Sequence, residues 1–150
     1  MTVRRAHSAD VGALIALMRE FYAESGFPLD QQWARGAFTR LIEDPELGCV
    51  WLAEHNDAPV GHTVLTLRYT MEHGAPSGYI DDLFVRPEFR RRGAARALLS
   101  ALIAECRLRG CKALYVEVGD RNTPAMHLYE QMGLKPFQDG RVLLSGEIDR

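Results

Sequence analysis

The sequence predicts a mixed α/β fold, one mixed sheet flanked by helices in the order β-α-α-β-β-β-α-β-α-β. Three observations carry this expectation. Residues 80–85 form an apolar strand, followed by a basic glycine turn, a long amphipathic stripe and a second apolar strand at residues 113–118. That pattern is a parallel strand–helix–strand crossover, expected to be right-handed. Residues 48–53 and 59–68 are strand-like runs on either side of His55-Asn56-Asp57, which reads as a hairpin. Two stretches ahead of the hairpin carry apolar residues at helical spacing. A length of 150 residues suits one domain, residues 1–150, with a single substantial core.

Each element has its own signals. Residues 2–5 are a short strand candidate. Ser8 is the expected helix cap, with Asp10 in the first turn. Val11, Leu14, Ile15, Leu17, Met18, Phe21 and Tyr22 form the apolar stripe of the first helix, and Gly26 and Pro28 end it. The second helix is expected over residues 30–43, with Trp33, Ala37, Phe38, Leu41 and Ile42 as its apolar face and Asp44-Pro45 as its stop. A loop is expected over residues 71–77. Leu98, Leu99, Leu102, Ile103 and Cys106 form the stripe of the long helix, which Gly110 terminates. Thr123 as cap and Pro124 in the first turn start another helix that ends at Gly133. Residues 142–148 read as the last strand.

Composition excludes several classes. Net charge is -2, with 47% hydrophobic and 25% charged residues, so neither nucleic acid nor an anionic membrane is an expected partner. The basic charge is local, with Arg86, Arg90, Arg91, Arg92 and Arg96 in one stretch. Cys49, Cys106 and Cys111 match no zinc spacing, so no metal is expected, and Cys49 and Cys106 read as core. No signal peptide is visible, and no apolar run approaches the ~20 residues that span a bilayer. A cytoplasmic location is the expectation.

The chemistry concentrates in YIDDLFVRPEFRRRGAARALLSALIA, residues 79–104. A strand feeds a glycine loop that opens a helix. The first turn of that helix has backbone N–H groups with no partner inside the helix, and the dipole adds partial positive charge. Phosphate binds well at such a place. Gly93 allows close backbone approach, and Ala94 and Ala95 add little bulk. No Gly-Lys-Ser/Thr follows, and G-x-G-x-x-G is absent, so this is neither a P-loop nor a dinucleotide fingerprint.

Arg90-x-x-Gly93-x-Ala95, after Val85-Arg86-Pro87, resembles the Q/R-x-x-G-x-G/A pyrophosphate loop of the GCN5-related N-acetyltransferases. Residues 122–134, NTPAMHLYEQMGL, resemble the family's N-x-x-A-x-x-x-Y-x-x-x-G-F segment, with Leu134 in place of Phe. The resemblance implies acetyl-CoA as co-substrate and a sheet whose central parallel strands splay to admit the pantetheine arm. It implies pantetheine contacts from the backbone of Leu83, Phe84 and Val85. Pyrophosphate contacts are implied from Arg90, Arg91, Arg92, Gly93, Ala94 and Ala95, and a bond from Asn122 to the pantetheine or to the start of its helix. A homodimer through sheet edges or C-terminal strands is compatible with it.

Acetyl transfer to an amine requires loss of an ammonium proton, stabilisation of an oxyanion and protection of the leaving thiolate. By motif position Tyr129 serves the thiolate, and the Leu83 N–H is the simplest oxyanion donor. YIDD resembles the Y-x-E-D of polyamine and thialysine acetyltransferases, with Asp81 at the proposed base. Asp81 is read equally as a base, working through a water because its side chain is short, or as an anchor for a cationic acceptor. His62 and His127 are the alternative bases, each read more readily as solvent-facing or packing. Tyr22, Glu24, Phe27, Asp81 and Asp82 are the candidate acceptor residues, an aromatic and acidic mixture suited to a cation. Phe21 and Trp33 are read as core. The C-terminal LLSGEIDR weakly resembles the last strand of diamine-type members. A small-molecule amine is the first expectation. A protein or peptide acceptor, or a non-catalytic acyl-CoA-binding module, are the alternatives.

Overall fold

The architecture is given by a computed structural model that describes residues 1–149. The described chain divides into two compact units, Met1–Glu117 and residues 118–149.

The first unit holds the whole sheet. β1 (Thr2–Arg5) leads through a 3-10 turn (Ser8–Asp10) into α1 (Val11–Ser25) and then α2 (Gln31–Glu43). β2 (Gly48–His55), β3 (Ala58–Thr70) and β4 (Ala75–Val85) follow as an antiparallel meander. A second 3-10 turn (Pro87–Phe89) precedes α3 (Ala94–Leu108), which crosses to β5 (Leu114–Val116). The strands lie in the order β1-β2-β3-β4-β5. Among the described residues β4 and β5 are the one parallel pair, as the expected crossover requires.

Local chemistry explains the boundaries. His7, rather than Ser8, caps the first turn: the His7 N–H donates to Asp10 at 2.8 Å, and their side chains lie 3.2 Å apart. Asp30 caps α2 by accepting from the N–H groups of Gln32 and Trp33. Gly26, in the left-handed region at φ 77°, ends α1.

The buried face of α2 differs from the expected one. Ala34 and Phe38 are buried, and Leu41 and Ile42 pack against the core, whereas Trp33 is 62% exposed and Ala37 is exposed. Positions 34, 38, 41 and 42 share one helical stripe, and 33 and 37 lie one step round the helix. Trp33 is therefore not a core residue. Phe21 does pack against the core.

The core cluster joins α1 and α2 to Val50, Leu52, Val64 and Phe84. Cys49 and Trp51 alternate with Val50 and Leu52 and belong to the opposite face of β2. The stripe Leu98, Leu99, Leu102 and Cys106 is buried on α3, and Cys49 is buried too, as expected of both cysteines. Helix and sheet approach closely there: a Cβ added at Gly78 would lie 2.8 Å from Cys106 Sγ.

Arg4 clamps β1 to the start of α1 by pairing with Asp10 and Glu54, each at 2.8 Å. The guanidinium holds the Asp10 carboxyl at about 2, below its ordinary 3.8. A depressed carboxylate stabilises the fold above its unfolded value and loses that contribution as pH falls through the folded one. Asp10→Asn is therefore expected to lower unfolding free energy at neutral pH by on the order of 1 kcal/mol, the half-exposed Arg4 being partly screened. The deficit relative to wild type should shrink between pH 3.8 and about 2, as read by denaturant unfolding across pH.

The second unit carries α4 (Thr123–Gln131). Asn122, not Thr123, is its cap, and its side-chain oxygen accepts from the Ala125 N–H. The expected last strand over residues 142–148 is absent among the described residues. Three consecutive apolar residues followed by Ser-Gly-Glu do not alternate, so no single face is offered for burial. Val142, Leu143, Leu144 and Ile148 are all exposed. Gly140, with φ 80°, and an Asp139–Arg141 ion pair turn the chain just before them.

Candidate active site

The β4–β5 pairing covers only Gly78–Ile80 against Leu114–Val116. β4 runs on to Val85, so beyond Ile80 the edge that faces β5 is left unpaired by it. A bulge falls at the same point. Val64 pairs with Asp82 and Leu65 with Ile80, which leaves Asp81 as the extra residue. Bulges re-aim side chains and bend the strand. Leu83 and Phe84 lie just past it.

The loop after β4 is shaped by two left-handed residues, Arg91 at φ 62° and Gly93 at φ 86°. Gly93 is the N-cap of α3, and no side chain caps that helix. The first-turn N–H groups therefore keep their donor capacity. A Cβ built on Gly93 would meet nothing within 4 Å. Glycine is required here by the backbone angle and not by crowding from the protein itself.

The arginines near this loop differ in what they hold. Arg90 pairs with Glu24 on α1 at 2.7 Å, donates through Nε to the Val85 carbonyl at 2.8 Å, and lies over the Phe84 ring. Arg86 pairs with Glu20 at 2.8 Å and donates to the Pro59 carbonyl. Both tie the end of β4 to its surroundings. Glu24, expected at the acceptor site, is the partner of Arg90. Arg92 lies over Phe89, and Arg91 is exposed.

Carboxylates gather around the middle of β4. Asp81 is pushed above its ordinary value, first by partial desolvation and then by Asp82 and Glu117. Its surface is open to solvent, so the like charges of Asp82 and Glu117 weigh heavily in this reading. Tyr79 donates to Glu117 at 2.6 Å, and its phenol is raised to about 12 by burial and by that partner. Tyr22 on α1 is raised by burial and by Asp82 and Asp81, which puts it within reach of the same charges. Phe27 is 64% exposed and makes an edge contact with the Tyr22 ring.

Tyr129 is the buried residue of α4. Burial raises its phenol to about 12. His127 on the same helix is exposed and 3.0 Å from Gln131.

Sequence reasoning did not single out Glu117, and His62 is a packing residue, one of its two expected readings. Glu117 directly follows β5, where ligands of parallel strands gather, and that position was the available signal. Among the described residues no group of His, Cys, Asp and Glu could hold a metal, and no helix is long and apolar enough to cross a membrane.

Comparison with known proteins agrees with this geometry. The profile of the acetyltransferase (GNAT) family matches residues 14–134. The "Uncharacterized N-acetyltransferase YhfO" of Bacillus subtilis is 32% identical over 136 residues, covering 89% of each chain. An aminoglycoside N(6')-acetyltransferase type 1 of Stenotrophomonas maltophilia is 32% identical over 117 residues, 75% of this chain and 72% of that one. A shorter match, 38% over 69 residues, is to the ribosomal protein bS18-alanine N-acetyltransferase of Escherichia coli, covering 40% of this chain and 47% of that one. The crystal structure of integron cassette protein HFX_CASS3, from the mobile metagenome of Cole Harbour Salt Marsh, superposes with a TM-score of 0.88 at 38% identity, covering 99% of this chain and 91% of that one. The chain belongs to the GNAT family of acetyltransferases. It is an N-acetyltransferase, and the family draws its acetyl group from acetyl-CoA.

Proposed function

We propose that this enzyme transfers acetyl from acetyl-CoA to a small cationic amine, directly, within a ternary complex. The observation that carries the reading is the group of Asp81, Asp82 and Glu117 with Tyr22 around the bulge of β4. Like charges held together cost free energy that a cation relieves, and the aromatic ring adds a cation–π surface. In this reading Asp81 is the anchor, because it is exposed and sits at the bulge itself, whereas Glu117 is held by the Tyr79 hydroxyl.

The cofactor reading rests on the loop and the strand edge. The backbone of residues 91–95 takes the pyrophosphate, because α3 has no side-chain cap and Gly93 leaves space above it. The unpaired edge of β4 past Ile80, around Leu83, Phe84 and Val85, takes the pantetheine amides, with the Leu83 N–H as oxyanion donor. The Val85 carbonyl already accepts from Arg90, so Val85 has less to offer than the other two. Asn122 serves the start of α4, the second of its expected roles.

Asp81→Asn tests the anchor. The acceptor Michaelis constant for a diamine is expected to rise about tenfold with turnover nearly kept, the pattern of lost uniform binding. A carboxyl raised on folding is one whose ionisation opposes the fold at neutral pH, so the same change is expected to raise Tm slightly near pH 7. Unchanged acceptor affinity would remove Asp81 from the site.

A further inference from the structure

His62 is wholly buried on β3, between Leu52 of β2 and Phe84 of β4 in the sheet register. Its ring meets Phe38 of α2 edge-on and also lies beside Phe84. Neither ring nitrogen has a hydrogen-bond partner among the described residues. Leaving such groups unpaired in a core costs free energy, and nearly all buried polar groups avoid it. The closest polar neighbour is Asp82, whose Oδ2 lies 3.7 Å from Nε2 and whose side chain is 12% exposed. That distance is beyond a hydrogen bond but within reach of a small side-chain shift. Asp82 in turn stands near Tyr22, at the acidic group assigned to the acceptor.

We propose that Asp82 takes the proton from the acceptor ammonium and that His62, behind it, is the positioning residue that holds this carboxylate. The inference rests on the amine-acceptor reading above. An N–H bond of the ammonium breaks, an O–H bond forms on Asp82, and nitrogen keeps the electron pair. Nitrogen then attacks the thioester carbon, and the C–S pair leaves on the coenzyme A sulfur. Of the two protons lost by nitrogen, one ends on that sulfur. The other leaves Asp82, whose side chain is 12% exposed, directly for bulk water. The groups facing His62 are Asp82 and Phe84 from β4, Phe38 from α2 and Leu52 from β2. Tyr22 on α1 and Asp81 reach it only through their field at Asp82.

Two measurements test the pair. The first compares the His62 ring-nitrogen chemical shifts by NMR in wild type and Asp82→Asn at one pH, and needs no acceptor. A carboxylate facing Nε2 is expected to set which ring nitrogen carries the hydrogen, so both nitrogen shifts are expected to change in Asp82→Asn. Unchanged shifts would overturn the proposal. The second measures acetyl-CoA-dependent thiol release with 1,4-diaminobutane and kanamycin in wild type, His62→Phe and His62→Gln. His62→Phe is expected to lose about ten- to a hundredfold in kcat and to change the acidic limb of the pH–rate profile, with acceptor KM within about twofold. His62→Gln, which keeps hydrogen bonding, is expected to recover part of the kcat. Full kcat and an unaltered pH profile in a folded His62→Phe would refute the role. If wild type acetylates neither amine while the ring-nitrogen shifts still change in Asp82→Asn, the acceptor reading fails and the His62–Asp82 contact stands.

Discussion

Replacing Tyr129 by phenylalanine is expected to lower turnover by roughly ten- to a thousandfold, at or below the span of one general acid, with acetyl-CoA affinity nearly unchanged. The resemblance of residues 122–134 to the family segment implies that this tyrosine serves the leaving thiolate. Its burial refines how it does so. A phenol held at about 12 keeps its proton throughout the working pH range. Full transfer of that proton to a thiolate of ordinary acidity, near 8.5, is uphill by about 5 kcal/mol. Tyr129 in this account donates a hydrogen bond while charge grows on sulfur, and the thiolate collects its proton afterwards. Tyr129→Phe keeps the ring and removes only the donor, so the loss falls on kcat. Pre-steady-state rates of acetyl transfer check this, and a normal chemical rate would leave Tyr129 a packing residue.

Gly93→Val is expected to weaken acetyl-CoA binding by more than about a hundredfold, a loss of roughly 3 kcal/mol or more. At φ 86° a β-branched residue is strained, and its methyl groups occupy the space in front of the α3 amides. Nothing of the protein lies within 4 Å of the new Cβ, so the domain is expected to fold. Gly93→Ala separates the two causes, because it carries backbone strain of about 1–2 kcal/mol with little bulk. Calorimetric titration of both variants distinguishes them. If Ala and Val lose equal affinity, strain and not steric exclusion explains the effect.

Much of this was legible in residue order. The crossover from β4 through α3 to β5 was readable because strand, glycine turn and apolar helix stripe are local patterns. The glycine loop between β4 and α3 was readable because its residue spacing is local. The face of α2 was harder to place, since Trp33 and Ala34 differ by one position and by a large change in bulk. Tertiary packing chose the small residue. The run at residues 142–148 read as a strand on apolar content, but it lacks a period of two. Functional chemistry between elements was the least legible. Nothing in sequence says that Arg90 pairs with Glu24, that the charge of Glu117 is felt at Asp81 or that His62 is buried near Asp82. The first depends on how α1 packs on the end of β4, the second on the β4–β5 pairing, and the third on the register of β3 on β4 with its bulge at Asp81.

The central claim is the class of acceptor. Its most direct test is acetyl-CoA-dependent thiol release by the wild-type protein over 1,4-diaminobutane, kanamycin and an alanyl-terminated peptide, compared as kcat/KM at fixed ionic strength. A site of grouped carboxylates predicts that the small polycations exceed the peptide by about a hundredfold or more, the advantage shrinking as salt screens the charges. Preference for the peptide, with no salt dependence, would contradict it.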